Sequence, residues 1–350
     1  MRILIATDAW HPQVNGVVRT NEQLRIGLKQ FGIEVSFISP LHNRSIPCPT
    51  YPEIRLSYIS QDRIHQKIMH YQPDYVHIST EGPIGFAVRT YCLERQISFT
   101  TCYHTRFPEY LASRFPVPLS WSYAFLRRFH NSGSGMMVST NSLADELKNR
   151  GFNNILPWTR GVNTTLFRPS GHRIFGVDEP VFLYVGRVAI EKNVEAFLNL
   201  DLPGKKVVVG SGPQLDELRS RYPDVLFSGS IEGEELAQHY ASADVFVFPS
   251  LTDTFGVVLL EAMASGLPVA AFPVTGPKDI IKQGVTGFLD NDLRIAALKS
   301  LQLKSKDCRL EALNYSWANS TKQFLNNIQR SHWKPQSETD RMGQLQSHSS

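Results

Sequence analysis

Two acids set the chemical question. In "TDTFGVVLLEAMASGLPV", residues 252–269, Asp253 precedes the Phe255-Gly256 pair and Glu261 lies in the apolar run that follows, which begins at Val257. Two cations stand ahead of them in "GRVAIEKN", Arg187 and Lys192. Surface Lys and Arg are usually only solvated charges, but just beyond a strand tip a diphosphate is the better partner, with Arg187 able to bind bidentately and Lys192 acting as a point charge. His104 in "YHTRFPEY" and Asn15-Gly16 in "TDAWHPQVNGVVRT" complete the set. A lone histidine is more often structural than catalytic, and a tight turn would also choose Asn-Gly. Free N–H groups near Gly256 fall between the two acids, an arrangement that suits a molecule with hydroxyls at both ends and phosphates in the middle. A buried Glu261 paired with a basic residue would explain one carboxylate but not both.

The elements that must position these residues alternate along the chain. "RILIAT", "RTNEQLRIGLKQFG" and "EVSFIS" give the strand, helix, strand rhythm of a parallel sheet. "DYVHI", a helix from about Gly85, "ISFTTC" and "GMMVST" continue it, and "NSLADELKNRG" reads as a helix capped by Asn141 and ended by Gly151. Residues 157–180 are rich in Pro and Gly and serve as a linker. Beyond it, strands are predicted at 181–186, 205–209, 225–228, 245–248 and 268–271, with helices at 193–200, 214–221, 234–242 and 256–265. The fold expected is α/β, two Rossmann-like doubly wound domains facing across a cleft. In open parallel sheets ligands sit beyond the carboxyl ends of the strands, where each candidate residue falls.

Composition narrows the class. The 350 residues are 42% hydrophobic and 19% charged, enough for two cores. No apolar run approaches the roughly 20 residues that span a bilayer, and "MRILIATDAW" lacks a signal-peptide core. Cys48, Cys92, Cys102 and Cys308 are widely separated with no C-x-x-C pair, which points to a reducing, cytoplasmic setting with neither zinc site nor disulfide framework. The net charge of +4 is too small to argue for nucleic acid. It is uneven, however: residues 1–165 carry 17 Lys plus Arg against 11 Asp plus Glu, and the remainder 19 against 21. The first half therefore prefers an anionic neighbour.

In "NGVVRT", "YHTRFPEY", "YVGRVAIEKN", Asp253 to Gly256 with "LLEAMASGLPV", and "YSWANSTKQF", taken in this order, the sequence resembles the retaining glycosyltransferases of the GT-B fold, family four. While the polar composition of 332–350 reads as a disordered tail, the resemblance implies an acceptor domain over 1–165, a nucleotide-sugar domain over 166–312 and a helix over 313–331 crossing back to the first domain. It further implies that Arg187 and Lys192 neutralise the leaving diphosphate, aided by N–H groups near Gly16 and by the start of the helix at Phe255, Gly256 and Val257. Glu261 would accept from the ribose, Asp253 would hold the donor sugar, His104 would sit near the reacting sugar through ring or backbone, and Ile231 would mark the nucleobase edge. Metal is not required in that scheme, since two cations and two helix ends supply the charge; "DND" at 290–292 reads as a helix cap. Asp253 stands where the family usually has Glu, which puts the donor-sugar contact in question.

The acceptor is suggested by residues 106–131. They hold Phe107, Tyr110, Phe115, Trp121, Tyr123, Phe125 and Phe129 with Arg106, Arg114, Arg127 and Arg128, against Glu109 alone. Such a segment suits an anionic lipid surface, or else its aromatics are core and its arginines solvated. With the resemblance to diacylglycerol glycosyltransferases and sulfolipid synthases, the expectation is a cytoplasmic, membrane-peripheral enzyme moving a hexose or uronic acid from a UDP-sugar to diacylglycerol. A GDP-mannose-dependent mannosyltransferase and a non-catalytic nucleotide-sugar or membrane-binding module are the alternatives.

Overall fold

The computed structural model describes residues 1–332 apart from 12, 14, 42–44, 49–50, 113–114, 172 and 177. Arg114 and the tail from 333 onward, both named above, lie outside the described residues.

The first domain contains strands β1 (Arg2–Ala6), β2 (Glu34–Ile38), β3 (Ser45–Cys48), β4 (Tyr51–Ser57), β5 (Tyr75–Ile78), β6 (Phe99–Cys102), β7 (Gly135–Val138) and β8 (Ile155–Pro157). Its helices are α1 (Gly16–Gln30), α2 (Gln61–Tyr71), α3 (Pro83–Glu94), α4 (Phe107–Ala112), α5 (Leu119–His130) and α6 (Asn141–Asn149). Six strands form one parallel sheet in the order β2-β1-β5-β6-β7-β8, while β3 and β4 make a separate antiparallel pair. The cap of α6 is Thr140, whose side chain accepts from the N–H of Leu143 at 3.3 Å. Asn141, expected in that role, is the first helical residue. Gly151 follows the helix at φ +81°, a left-handed value that ends it at little steric cost.

The second domain contains β9 (Val181–Val185), β10 (Lys205–Val209), β11 (Leu226–Gly229), β12 (Val245–Phe248), β13 (Val269–Ala271) and β14 (Gly287–Leu289). Between and after them run α7 (Val194–Leu198), α8 (Leu215–Arg221), α9 (Gly233–Ala241), α10 (Val257–Ala264), α11 (Pro277–Ile280), α12 (Leu293–Ser300) and α13 (Ser305–Ala312). All six strands are parallel, in the order β11-β10-β9-β12-β13-β14. Asp292 of "DND" caps α12, its side chain accepting from the N–H groups of Arg294 and Ile295. In each sheet the strand order reverses once, between β1 and β5 and between β9 and β12. Such reversals open a crevice at the carboxyl ends of the strands, and the two crevices face each other.

The last helix, α14 (Trp317–His332), packs on the first domain. Its Phe324 and Ile328 are buried with Trp158, Leu24 and Leu28. Trp158 donates its indole N–H to the carbonyl of Ser320 at 3.1 Å, and Asn327 donates to that of Pro157 at 2.8 Å.

His77 lies under this helix, fully buried in β5, its ring edge-on to Phe324 at 5.0 Å and its Nδ1 paired with the hydroxyl of Thr100 at 2.9 Å. Burial, helped by the nearby Arg160 charge, pushes the imidazole down to about 3. The unfolded chain, with a histidine pKa of roughly 6.5, therefore takes up a proton that the folded chain refuses, and stability falls as pH drops below about 6.5, by about 1.4 kcal/mol per pH unit for one proton. Asp8 acts in the opposite sense: burial first, opposed by hydrogen bonds from Ile84, Thr80 and Gly85, leaves it raised to about 6. A comparison with His77→Gln isolates the histidine. Urea unfolding between pH 6 and 4.5 is expected to lose stability less steeply in the variant, by about one proton's worth; equal slopes would show that His77 titrates alike folded and unfolded.

Candidate active site

The loop after β12 carries the first acid. Asn193 ties its start by donating to the carbonyl of Pro249 at 3.1 Å, and Gly256, at φ +81°, turns the chain into α10. That helix has no side-chain cap, so the N–H groups of its first turn have no side-chain acceptor from the cap residue. It is apolar on nearly every side, with Leu259, Leu260, Ala262, Met263 and Ala264 buried, and Phe255 enters the same core. Glu261 is the acid in this run and is 4% exposed.

Both acids are paired. Glu261 accepts from Arg19 Nη1 on one oxygen and from the Tyr240 hydroxyl on the other, each at 3.0 Å. Burial pushes its carboxyl up, and Arg19 and Tyr240 pull it partly back. Asp253 accepts from Lys192 Nζ at 2.6 Å and from the N–H of Thr254 at 2.9 Å. Lys192 also donates to the hydroxyl of Tyr110 on α4. Burial disfavours its charge, but Asp253 and the hydroxyls of Tyr110 and Tyr184 outweigh that, so its pKa stands above the ordinary value and it remains a cation. A basic partner for a buried Glu261 was to leave Asp253 unexplained; each acid in fact has its own cation.

Arg187 follows β9. Its carbonyl accepts from the Tyr184 hydroxyl at 2.8 Å, and its side chain lies 3.9 Å from Glu191. His104 sits beyond β6 and meets the second domain through its backbone: its carbonyl accepts from the Thr254 hydroxyl at 2.7 Å. Its ring points the other way, with Nε2 3.2 Å from the Ser79 hydroxyl and Nδ1 3.2 Å from Arg160. Burial, followed by Arg160, His77 and His130, holds it well below the usual histidine range. Gly16 opens α1 with space around it, but the Asn15 side chain takes the N–H groups of Val17 and Val18 at 3.0 Å each, so two donors of that first turn are already used.

A cavity of about 230 Å³ lies between the domains. Arg19 and Glu261 stand at one part of its wall, with Val257, Phe167, Trp317, Glu232 and Gly233 around the rest. Ile231 packs against the second domain's core, and its neighbours Glu232 and Gly233 are the residues that reach the cavity. The structure thus assembles two groups: Glu261, Val257 and Arg19 on the cavity, and Asp253, Lys192, Tyr110 and the His104 carbonyl where the domains meet.

Residues 106–131 divide. Arg106 is buried, paired bidentately with Glu146 at 3.1 and 2.6 Å, and its Nε donates to the carbonyl of Asp253 at 3.1 Å. Tyr123 and Phe129 are core, and Tyr110 turns to Lys192. Phe107, Phe115, Leu119, Trp121 and Phe125 remain on the surface, Trp121 at 72% exposure and Phe125 at 56%. No helix among the described residues is long and apolar enough to cross a membrane. Sequence reasoning missed Arg19, Tyr240, Arg106 and Arg160. Arg19 lies inside "NGVVRT" and Arg106 inside "YHTRFPEY", so the motifs carried them, but a partner 242 residues away leaves no local trace.

Comparison with known proteins covers both domains. Residues 179–302 match the profile of the glycosyl transferases group 1, and residues 14–166 that of glycosyltransferase family 4. The chain is 30% identical to the sulfoquinovosyl transferase SQD2 of Arabidopsis thaliana over 81% of its own length and 62% of that longer protein. It is 30% identical to a GDP-mannose-dependent alpha-mannosyltransferase of Corynebacterium glutamicum, over 83% of this chain and 76% of the relative. With an alpha-monoglucosyldiacylglycerol synthase of Streptococcus pneumoniae it shares 26% identity over 86% and 78%. Two solved structures share the fold: a sucrose-phosphate synthase of Thermosynechococcus elongatus, TM-score 0.76 and 21% identity over 94% of this chain and 98% of that one, and HepE of Anabaena in complex with UDP and glucose, TM-score 0.71 and 15% identity over 94% and 100%. With these matches spread over two facing parallel-sheet domains, the chain belongs to the GT-B glycosyltransferases of family 4, group 1.

Proposed function

We propose that this protein is a retaining glycosyltransferase that moves a hexose or uronic acid from a UDP-sugar to diacylglycerol at an anionic membrane surface, without a metal ion. The observation that carries the reading is the pairing of Asp253 with Lys192 at the meeting of the domains. A donor diphosphate exchanges one anion for another on Lys192 and releases the Asp253 carboxylate to accept from sugar hydroxyls. Arg187 and the N–H groups that open α10 take a share of the same charge. As the sugar leaves, positive charge grows on its ring and negative charge on the diphosphate, and fixed cations stabilise the leaving group most where charge develops. The His104 ring, held on both nitrogens, is no general base. The acceptor hydroxyl is therefore read as losing its proton to the departing phosphate on the same face, which retains the anomeric configuration.

Glu261, on the cavity wall, suits ribose hydroxyls. A second reading rests on Glu232 at the same cavity: a carboxylate there can accept from the paired N–H donors on the guanine edge, of which uracil offers one. That favours GDP-mannose as the alternative donor, in line with the name of the Corynebacterium relative.

Phe107, Phe115, Leu119, Trp121 and Phe125 lie exposed in the same segment as the exposed Arg127 and Arg128. On α5, Trp121, Phe125 and Arg128 fall at helical spacing on one outward face, an apolar stripe with a cationic flank. The +6 balance of residues 1–165 supports the same orientation toward anionic lipid.

Three outcomes follow. Purified protein incubated with mixed lipids and a panel of UDP- and GDP-sugars is expected to give a glycosyldiacylglycerol from a UDP-sugar, identified by mass; product from GDP-mannose alone would select the second reading, and donor binding without turnover would mark a silent module. Lys192→Ala should lower kcat by roughly 10²–10³, and Glu261→Ala should weaken nucleotide binding by about 10- to 100-fold, as for lost hydrogen bonds to a charged group; unchanged kinetics in both would place the donor elsewhere. Trp121→Ser with Phe125→Ser should cut binding to anionic vesicles roughly tenfold or more, while soluble-donor hydrolysis stays near wild type. Equal vesicle binding by the double variant would remove α5 from the membrane face.

A further inference from the structure

Arg160 is 4% exposed, and among the described residues it has no ion pair. Its Nη1 donates to the carbonyl of Trp158 at 2.8 Å, its plane lies 4.2 Å over the Trp158 ring, and Nη2 reaches Cys102 Sγ at 3.6 Å and His104 Nδ1 at 3.2 Å. Cation–π contact offsets part of the desolvation of such a charge, but a buried guanidinium without a counter-ion still weakens a fold that an apolar side chain would strengthen. A role beyond stability accounts for it.

Resting on the reading of His104 beside the reacting sugar, we infer that Arg160 is a positioning residue that locks the His104 ring as the neutral Nε2–H tautomer and thereby fixes the carbonyl His104 presents to the donor loop. A guanidinium can only donate, so Nδ1 must accept and the ring proton sits on Nε2. Nε2 then donates to the Ser79 hydroxyl at 3.2 Å, Ser79 donates to Asn21 Oδ1 at 3.0 Å, Asn21 Nδ2 donates to the Thr7 hydroxyl at 3.3 Å, and Thr7 donates to the carbonyl of Ala9 at 3.0 Å. Ser79, Asn21 and Thr7 are fully buried. Every donor in this chain has one acceptor, and the direction is the same throughout. A proton on Nδ1 would oppose Arg160 and remove the starting point of the series.

The chain joins the ends of β1, β5 and β6 to α1 and to the segment after β8, and so forms the floor of the cleft. The charged and titratable groups around the His104 ring are Arg160, Cys102 of β6, His77 of β5 and His130 of α5, the last paired with Glu81 at 2.9 Å. Across the cleft the loop of Asp253 and Thr254 meets its carbonyl. With the ring held, that carbonyl stays where the Thr254 hydroxyl finds it at 2.7 Å.

The test is imidazole nitrogen NMR on the full chain labelled at histidine, with His104 assigned by its loss in His104→Gln, titrated from pH 8 to 5. A neutral Nε2–H ring throughout is expected in the wild type. Arg160→Met should let the ring titrate or populate both tautomers, Arg160→Lys should restore the wild-type tautomer, and kcat of Arg160→Met should fall on the order of 100-fold with little change in donor KM, the loss deepening toward acid pH. If Arg160→Met does not fold, Ser79→Ala is the second variant: it removes the Nε2 partner but leaves Arg160, so the Nε2–H tautomer should persist, and a proton that moves to Nδ1 there would show that the Ser79 series and not Arg160 sets the tautomer. A wild-type ring that titrates between pH 5 and 8, or carries its proton on Nδ1, overturns the inference. A released ring with wild-type turnover overturns the positioning role, and Lys192→Ala run alongside shows whether the transfer site itself has been misplaced.

Discussion

The placement of one short loop by the domain that does not contain it governs the rest of the site. Asp253 and Thr254 belong to the second domain, yet the first domain holds them at three points: Arg106 donates to the Asp253 carbonyl at 3.1 Å, Ser139 donates to the Thr254 carbonyl at 3.1 Å, and the Thr254 hydroxyl donates to the His104 carbonyl at 2.7 Å. Each such bond contributes only about 0.5–1.5 kcal/mol net. Together they fix the loop in all directions, because the three anchors come from the ends of β6 and β7 and from the start of α4. Arg106 is itself immobilised by its fork onto Glu146, so the anchor is rigid. Arg19 with Glu261, and Ser142 with Asp279 at 2.9 Å, extend the same joint. The position of the Asp253 carboxylate is thus a property of both domains.

The electrostatics divide along that joint. Lys192 is half-buried and Glu261 buried, and each has an oppositely charged partner within 3.0 Å, Asp253 for one and Arg19 for the other. Pairs of this kind are weak sources of stability, since desolvation consumes most of the Coulomb gain. In the proposed reaction their value lies in exchange: a polyanionic ligand replaces a carboxylate on a lysine without leaving either charge bare for long. Arg160 has no such partner to exchange and bonds instead to neutral acceptors, which suits a permanent support. Arg160 thus meets the His104 ring, while Asp253, the partner of Lys192, adjoins the Thr254 whose hydroxyl meets the His104 carbonyl.

Much of the framework was legible because hydrophobic period and strand-end chemistry are local. The strands at 205–209 and 245–248 fall where the β-branched runs place them, and the helices after β9, β10, β11 and β12 begin within one residue of their predicted starts. The β3–β4 pair was not anticipated, since Pro47, Pro49 and Pro52 break the alternation that marks a strand. β14 was missed because three residues carry too little periodicity. At the site, the sequence brings Arg187, Lys192, Asp253 and Glu261 to strand ends and a helix, as any reading of a parallel sheet would. What it could not supply were partners fixed by tertiary packing: Arg19 for Glu261, Tyr110 for Lys192, Arg160 for His104. The rule that a buried acid needs a cation predicts that a partner exists but does not identify it.

The aromatic segment shows why composition alone could not separate a lipid face from a core. Its two readings are both realised, residue by residue, by helical geometry. On α5, Tyr123, Leu126 and Phe129 turn inward while Trp121 and Phe125 turn outward, and Phe125 keeps contact with the domain by stacking on Phe86 at 5.0 Å. On α4 the division is sharper. Phe107 faces solvent, whereas Arg106 just before it reaches the Asp253 carbonyl and Tyr110, one turn on, reaches Lys192. Arg106 and the six-residue helix after it thus connect an exposed apolar side chain to both members of the half-buried ion pair. A helix this short has little stability of its own, so its position depends on what holds its two faces. Its outer face carries the exposed Phe107 and its inner face meets Lys192 through Tyr110, so whatever displaces the one is felt at the other within a single helical turn.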